Sequence, residues 1–155
     1  MSTPVELIEE LQCRYVRALD GKKLDSWLAL FARDGQYFVI PADNEAAGLP
    51  LALMMDDCYE RLEDRVNYVK KVWTFDDYQT RHFIQRLHVE QTADGLYTVE
   101  SNMAIFMSDS EGKIQPLAMG RYDDRIRIDA DGALFRSKRV IVDSFCFPSN
   151  IVYPL

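Results

Sequence analysis

The chain has 155 residues, 48% hydrophobic and 28% charged, and carries a formal charge of −7. Its length predicts one domain over 1–155, able to bury roughly two-thirds of the surface its unfolded chain exposes. The acidic balance argues against nucleic acid or an anionic membrane as partner, because both need clustered cations.

The opening Met1-Ser2-Thr3-Pro4 has no basic leader, and no run approaches the ~20 apolar residues of a membrane span, so a cytoplasmic protein is expected. Thr3-Pro4-x-Glu6 is a capping box with Pro at the first helical position. Ile8, Leu11, Tyr15, Ala18 and Leu19 then recur at helical spacing, which predicts a first helix to about Leu19, ended by Asp20-Gly21. Asp25 is placed to cap a short second helix with Trp27, Leu28, Leu30 and Phe31 on its apolar face. Asp34-Gly35 reads as a turn into the strand Gln36–Ile40, stopped by Pro41. Residues 41–52 read as a loop or a poor edge strand. Asp56 or Asp57 is then expected to cap a third helix with Tyr59, Leu62, Val66, Val69 and Val72 or Trp73 on its buried stripe.

Asp94-Gly95, Glu111-Gly112 and Asp131-Gly132 divide the remaining chain into four strands, about 81–91, 96–107, 114–128 and 133–143. Such dipeptides between apolar-rich runs predict type I′ hairpins and hence an antiparallel meander. Helices followed by a long sheet make an α+β fold.

His82 and His88 are the two histidines. Equal parity puts them on one face of a strand, but six residues at ~3.3 Å rise separate them by on the order of 20 Å, too far to share an ion. Cys13, Cys58 and Cys146 are widely spaced without a C-x-x-C pair and read as reduced, packed thiols. Neither a Rieske cluster nor a two-His-one-carboxylate iron site is expected in this chain. No G-x-S-x-G and no Gly-rich phosphate loop occurs. A bent sheet around helices can still enclose a small ligand, with Tyr15, Asp34, Tyr37, His82 and Asp123 as acid and base candidates. The bland alternative for His82 is a hydrogen-bonded structural residue, and for both tyrosines, core aromatics.

In the third strand of the predicted meander, Arg121, Asp123, Arg125 and Arg127 alternate onto one face and Tyr122, Asp124, Ile126 and Ile128 onto the other. Mixed ionic and apolar faces suggest contact with another subunit, the alternative being a solvated sheet laced with cross-strand ion pairs. Arg81, His82, Arg121, Asp123 and Arg125 are the candidate interface residues.

Several segments together resemble the small (β) subunits of bacterial aromatic-ring-hydroxylating dioxygenases. They are Leu19-Asp20, Asp25-x-Trp27-Leu28-x-Leu30-Phe31, Asp34-Gly35-x-Tyr37, Asp56-Asp57 with Leu62 and Arg65, Thr80-Arg81-His82-Phe83-Ile84, Ser101-Asn102, Gly120-Arg121-Tyr122-Asp123-Asp124 and Val142-Asp143. The resemblance spans nearly the whole chain. It implies a nuclear-transport-factor-2-like cone, three helices against a bent antiparallel sheet, and a non-catalytic role. It also implies a large (α) oxygenase subunit as partner, carrying the Rieske 2Fe-2S cluster and the mononuclear iron, with small subunits trimeric inside a hetero-hexamer. A short N-terminus and a compact 41–55 loop depart from the family pattern. The alternative reading is a stand-alone isomerase or dehydratase with His82 or Asp34 as base; a third is a small-ligand binding protein on the same cone.

Overall fold

The structure, a computed structural model, describes residues 2–143 and 146–155. Helix α1 (Pro4–Asp20) opens on the expected capping box: Glu6 N donates to Thr3 Oγ1 at 3.3 Å, and Thr3 N donates to Glu6 Oε2 at 2.7 Å. Its stripe of Ile8, Leu11, Tyr15, Ala18 and Leu19 is buried, and Gly21 closes the helix. The short α2 (Leu24–Leu28) follows, then β1 (Phe31–Pro41), α3 (Ala42–Ala46), β2 (Met54–Asp56) and α4 (Tyr59–Lys71). The long strands β3 (Gln79–Gln91), β4 (Tyr97–Ser108), β5 (Ile114–Asp129) and β6 (Gly132–Val142) complete one six-stranded sheet in the order β2-β1-β6-β5-β4-β3.

The first and last helices and the meander stand where the periodicity put them, whereas α2 stops at Leu28 and leaves Leu30 and Phe31 outside it, Phe31 already opening β1. Other local expectations are also corrected. Asp25 does not cap α2; Lys23 occupies the cap position, and Asp25 pairs with Lys70 of α4 at 2.5 Å. Neither Asp56 nor Asp57 caps α4, whose N-cap is Cys58; Asp56 lies on β2 in an ion pair with Arg65, and Asp57 pairs with Arg61 at 3.3 Å. A salt-bridged carboxylate is no longer available to the helix amides, so the pairing overrides the capping preference. The 41–52 segment contains the helical turn of α3 rather than a plain loop. Asp34-Gly35 is an irregularity inside β1, where pairing with β6 slips between Phe31 and Gln36. A Cβ at Gly35 would lie 2.7 Å from the Ala32 carbonyl, so the dipeptide marks a tight bulge.

The pairing of β1 with β6 is parallel, whereas β1–β2 and all pairs of the meander are antiparallel. The hairpins also differ in turn type. Gly95 and Gly112 have φ of 81°, but neither Asp94 nor Glu111 has positive φ. Gly95 N donates to Thr92 O at 2.9 Å and Gly112 N to Asp109 O at 3.0 Å. These are ordinary turns ending in a left-handed glycine, not type I′ turns, which need positive φ at both central residues. Gly120 serves close approach instead, since a Cβ there would lie 2.0 Å from the Ile141 carbonyl oxygen on the adjoining strand.

The concave face of the sheet closes over α1, α2 and α4. Trp27, Tyr15, Tyr37, Tyr122 and Phe135 fill the centre, at centroid separations of 5.0–6.3 Å where they meet one another or Phe31, edge to face except for the tilted Phe31–Phe135 pair. The tail returns into this core: Val152, Tyr153 and Leu155 are buried.

Candidate functional site

Of the five residues considered for cone chemistry, Tyr15, Tyr37 and His82 point inward, and Asp34 and Asp123 do not. Asp34 sits at the β1 bulge, half exposed, and accepts from Arg127 at 3.0 Å and Arg136 at 2.9 Å. The Arg127 hydrogen bond, helped by the Arg136 charge and opposed by slight burial, holds its carboxyl below the usual range. Asp123 lies on the convex face beside Arg121.

The interior acid facing His82 is Asp20, read from sequence as a helix end and as part of the Leu19-Asp20 segment of the family resemblance, not as an acid candidate. His82 Nδ1 lies 2.6 Å from Asp20 Oδ1, and the same carboxylate accepts from the His82 amide at 3.1 Å and from Thr80 Oγ1 at 3.0 Å. Partial burial alone would raise the Asp20 pKa; the His82 ring, the His82 amide and the Thr80 hydroxyl outweigh it and hold the carboxyl below its ordinary value. The His82 side chain is 1% exposed, and its Nε2 has no hydrogen-bond partner among the described residues. His82 therefore ties the end of α1 to the start of β3.

A second charged pair lies deeper. Lys138 Nζ is 3.1 Å from both oxygens of Asp124, directly opposite on β5, and both side chains are fully buried. The ammonium sits 3.6 Å from the Tyr122 ring centroid, 4.3 Å from that of Tyr15 and 4.7 Å from that of Phe135. Burial pushes Asp124 up to about 6 despite the opposing Lys138, and burial lowers Lys138. Half of the signal for this pair was present in the alternation: Asp124 shares parity with the apolar Tyr122 and Ile126, whereas Lys138 shares parity with Leu134 and Val140 but also with Arg136.

The hydroxyls of Tyr15, Tyr37 and Tyr78 are engaged, whereas the buried Tyr122 Oη has no hydrogen-bond partner among the described residues. Tyr15 Oη donates to the Leu155 carbonyl at 2.5 Å, while Tyr37 Oη accepts from Leu155 N at 2.7 Å. Tyr78 Oη accepts from Val152 N at 3.0 Å and from Tyr153 N at 3.3 Å. Burial raises the Tyr15, Tyr37 and Tyr78 hydroxyls above their ordinary pKa, so all three stay protonated near neutrality.

Of the candidate interface residues, Arg81, Arg121, Asp123 and Arg125 lie on the convex face of the sheet and His82 on the concave face. Arg121 Nε is 3.3 Å from Asp123 on its own strand, Arg125 pairs with Asp94 in the β3–β4 turn, and Arg81 donates to the neighbouring Thr80 carbonyl at 3.2 Å. Around them stand exposed apolar groups, Phe83 edge-on to Phe106 at 5.9 Å and Met119 across the strands.

His88 does not share a face with His82. A bulge between Arg86 and His88 inserts Leu87 and turns His88 outward, beside Glu90 at 3.8 Å. Cys13 and Cys146 are exposed and Cys58 is only partly buried, so the packed-thiol expectation fails. Among the described residues no group of three or more His, Cys, Asp or Glu side chains converges as a metal site. These residues do not fit a Rieske cluster or a mononuclear iron. No helix is long and apolar enough to cross a membrane.

A bent sheet folded over helices, with its polar groups buried in the concavity, defines an α+β cone of the nuclear-transport-factor-2-like class. Within that class, residues 14–149 match the family profile of the ring hydroxylating beta subunit. The anthranilate 1,2-dioxygenase small subunit of Burkholderia cepacia is 30% identical over 145 residues, covering 94% of this chain and 90% of its own. The beta subunit of a provisionally assigned aromatic-ring-hydroxylating dioxygenase from Novosphingobium aromaticivorans superposes with a TM-score of 0.83 at 27% identity, covering 91% of this chain and 90% of its own. The benzoate 1,2-dioxygenase beta subunit of Burkholderia mallei shares the fold, with a TM-score of 0.71 at 23% identity and 87% coverage of each chain. The chain belongs to the beta-subunit family of aromatic-ring-hydroxylating dioxygenases. It is a component of an oxidoreductase complex, in which beta subunits partner with alpha subunits.

Proposed function

We propose that this chain is a non-catalytic small subunit that supports the assembly and stability of a large, iron-containing oxygenase subunit in the cytoplasm. The Rieske 2Fe-2S cluster and the mononuclear iron belong to that partner, and three small chains associate inside a hetero-hexamer. Arg81, Arg121, Asp123 and Arg125 serve the subunit contacts, and His82 secures the fold behind them.

The observation that carries this reading is the composition of the convex face. Phe83, Phe106 and Met119 are 60%, 41% and 60% exposed on neighbouring strands, with Arg81 and Arg121 among them. An apolar centre rimmed by arginine is the composition of an interface core rather than of a solvated sheet. The interior supports the same reading, because the Tyr15 and Tyr37 hydroxyls, the candidate proton donors, are bound to the tail.

Co-expression with the large chain tests the proposal. The expected result is a stable complex whose iron is lost with the large chain, the small chain alone being colourless with no stoichiometric iron. About one iron per isolated small chain, or a large chain that assembles and turns over equally well alone, would overturn it.

The second reading, an isomerase or dehydratase, rests on the Asp20–His82 pair with its unpartnered Nε2. It is separated by a His82→Ala complex: normal assembly with complete loss of turnover would make His82 catalytic.

A further inference from the structure

We infer that the groove between α1 and β3 binds a small organic carboxylate with an apolar body, through Arg86 and Arg17. The groove is about 530 Å³, within the range of small-molecule sites, and is lined by Glu9, Gln12, Cys13, Val16, Arg17, Ile84 and Arg86. Val16, Ile84 and the Cys13 thiol make its apolar wall.

The guanidinium of Arg86 is positioned from behind yet poorly satisfied in front. Gln12, 6% exposed, is fixed by donating from Nε2 to Ser101 Oγ at 2.9 Å, and its Oε1 faces Arg86 Nη1 at 3.5 Å. The other contact of Arg86, to Glu9, is 3.6 Å long, and the Glu9 side chain is 65% exposed. Both distances exceed those of a good charge-assisted hydrogen bond, near 2.7–2.9 Å, so the fork retains donors for a bidentate acceptor. Arg17, one turn along α1 from Cys13, makes no ion pair among the described residues. Most arginines of this acidic chain are paired with carboxylates, among them Arg61, Arg65, Arg125, Arg127, Arg136 and Arg139. Two under-used guanidinium groups at one apolar groove select a carboxylate, and the wall selects a hydrocarbon behind it. Within the lining the competing carboxylate is Glu9, whose exposed side chain meets Arg86 at the long 3.6 Å distance that a ligand carboxylate can better.

The site is independent of the subunit assignment and is tested on the full chain with 3-phenylpropionate, its amide and inorganic phosphate as probes. Two-dimensional amide NMR should show saturable shifts confined to residues 9–17 and 84–86 with 3-phenylpropionate, and the same probe should slow alkylation of Cys13. Arg86→Gln and Arg17→Gln should each weaken binding by about tenfold, and the outward-facing Arg81→Gln should not. Arg17 is exposed, so its variant carries the test even if Arg86→Gln perturbs folding. Equal binding of phosphate would reduce the site to a generic cationic patch, equal binding of the amide to an apolar crevice, and absence of saturable shifts at millimolar probe to no site; each overturns the inference.

Discussion

Lys138 and Asp124 meet across β6 and β5 with Nζ 3.1 Å from both carboxylate oxygens, and neither side chain reaches solvent. Three aromatic rings surround the ammonium. Removing one member leaves an uncompensated buried charge, which costs about 3–5 kcal/mol, whereas replacing both with apolar groups is often neutral or stabilising. Lys138→Met and Asp124→Leu are therefore each expected to lower unfolding free energy by that amount. The double variant should recover most of the loss, as read by urea denaturation. Additive losses would mean that the two charges are not coupled.

The Asp20 carboxyl gives a pH signature of known sign. Its folded pKa lies below the ordinary aspartate value, so its contribution is fully present above about pH 4 and is lost as pH falls through the depressed folded value. Thermal melts from pH 7 down to pH 3 should show wild type losing more stability at the acid end than Asp20→Asn. Parallel curves would place the acid sensitivity elsewhere.

His82→Ala removes the side chain that joins β3 to Asp20 and leaves that carboxylate with the His82 amide and the Thr80 hydroxyl. Losing one member of a buried charged hydrogen bond costs about 1–3 kcal/mol. The expected result is a lower melting temperature with turnover per assembled complex retained. Arg81→Ala, on the opposite face, should leave the melting temperature within experimental error.

The tail is held largely by side-chain hydroxyls. Tyr78→Phe leaves the amides of Val152 and Tyr153 without their acceptor, and Tyr37→Phe leaves that of Leu155 without its own. An unsatisfied buried donor costs about 1–3 kcal/mol. In both variants, hydrogen exchange should quicken across residues 151–155 before it quickens in β4 or β5. Unchanged protection there would show that apolar packing alone holds the tail.

On the convex face, Arg121 pairs with Asp123 on its own strand at 3.3 Å, and both are at least one-third exposed. Such a pair contributes at most about 1 kcal/mol to the isolated chain. Arg121→Ala and Asp123→Ala should leave far-ultraviolet circular dichroism unchanged while lowering oligomer mass in light scattering at micromolar protein. Unaltered mass in both would remove this face from the interface. Phe83→Asp is expected to weaken association with the large chain more than either.

The chain order of helices, the four long strands and their hairpins was legible because each rests on contacts between near neighbours: a capping box at Thr3, a helical stripe from Ile8 to Leu19, glycines at 95, 112 and 132. The inward placement of Tyr15, Tyr37 and His82 was weighed from the same patterns. Bulges undid part of the parity reading. One extra residue at Leu87 sent His88 to the far face, and the irregularity at Asp34 and Gly35 kept β1 continuous where a turn was expected. Tertiary structure alone decided that β1 runs parallel to β6, that Asp20 meets His82 from 62 positions away, that Lys138 and Asp124 are sealed in the core, and that Leu155 docks on Tyr15 from 140 positions away. Local sequence sets backbone preference through sterics and nearby hydrogen bonds. The pairing of distant polar groups is decided only when the sheet closes over α1 and removes the water that would otherwise satisfy them.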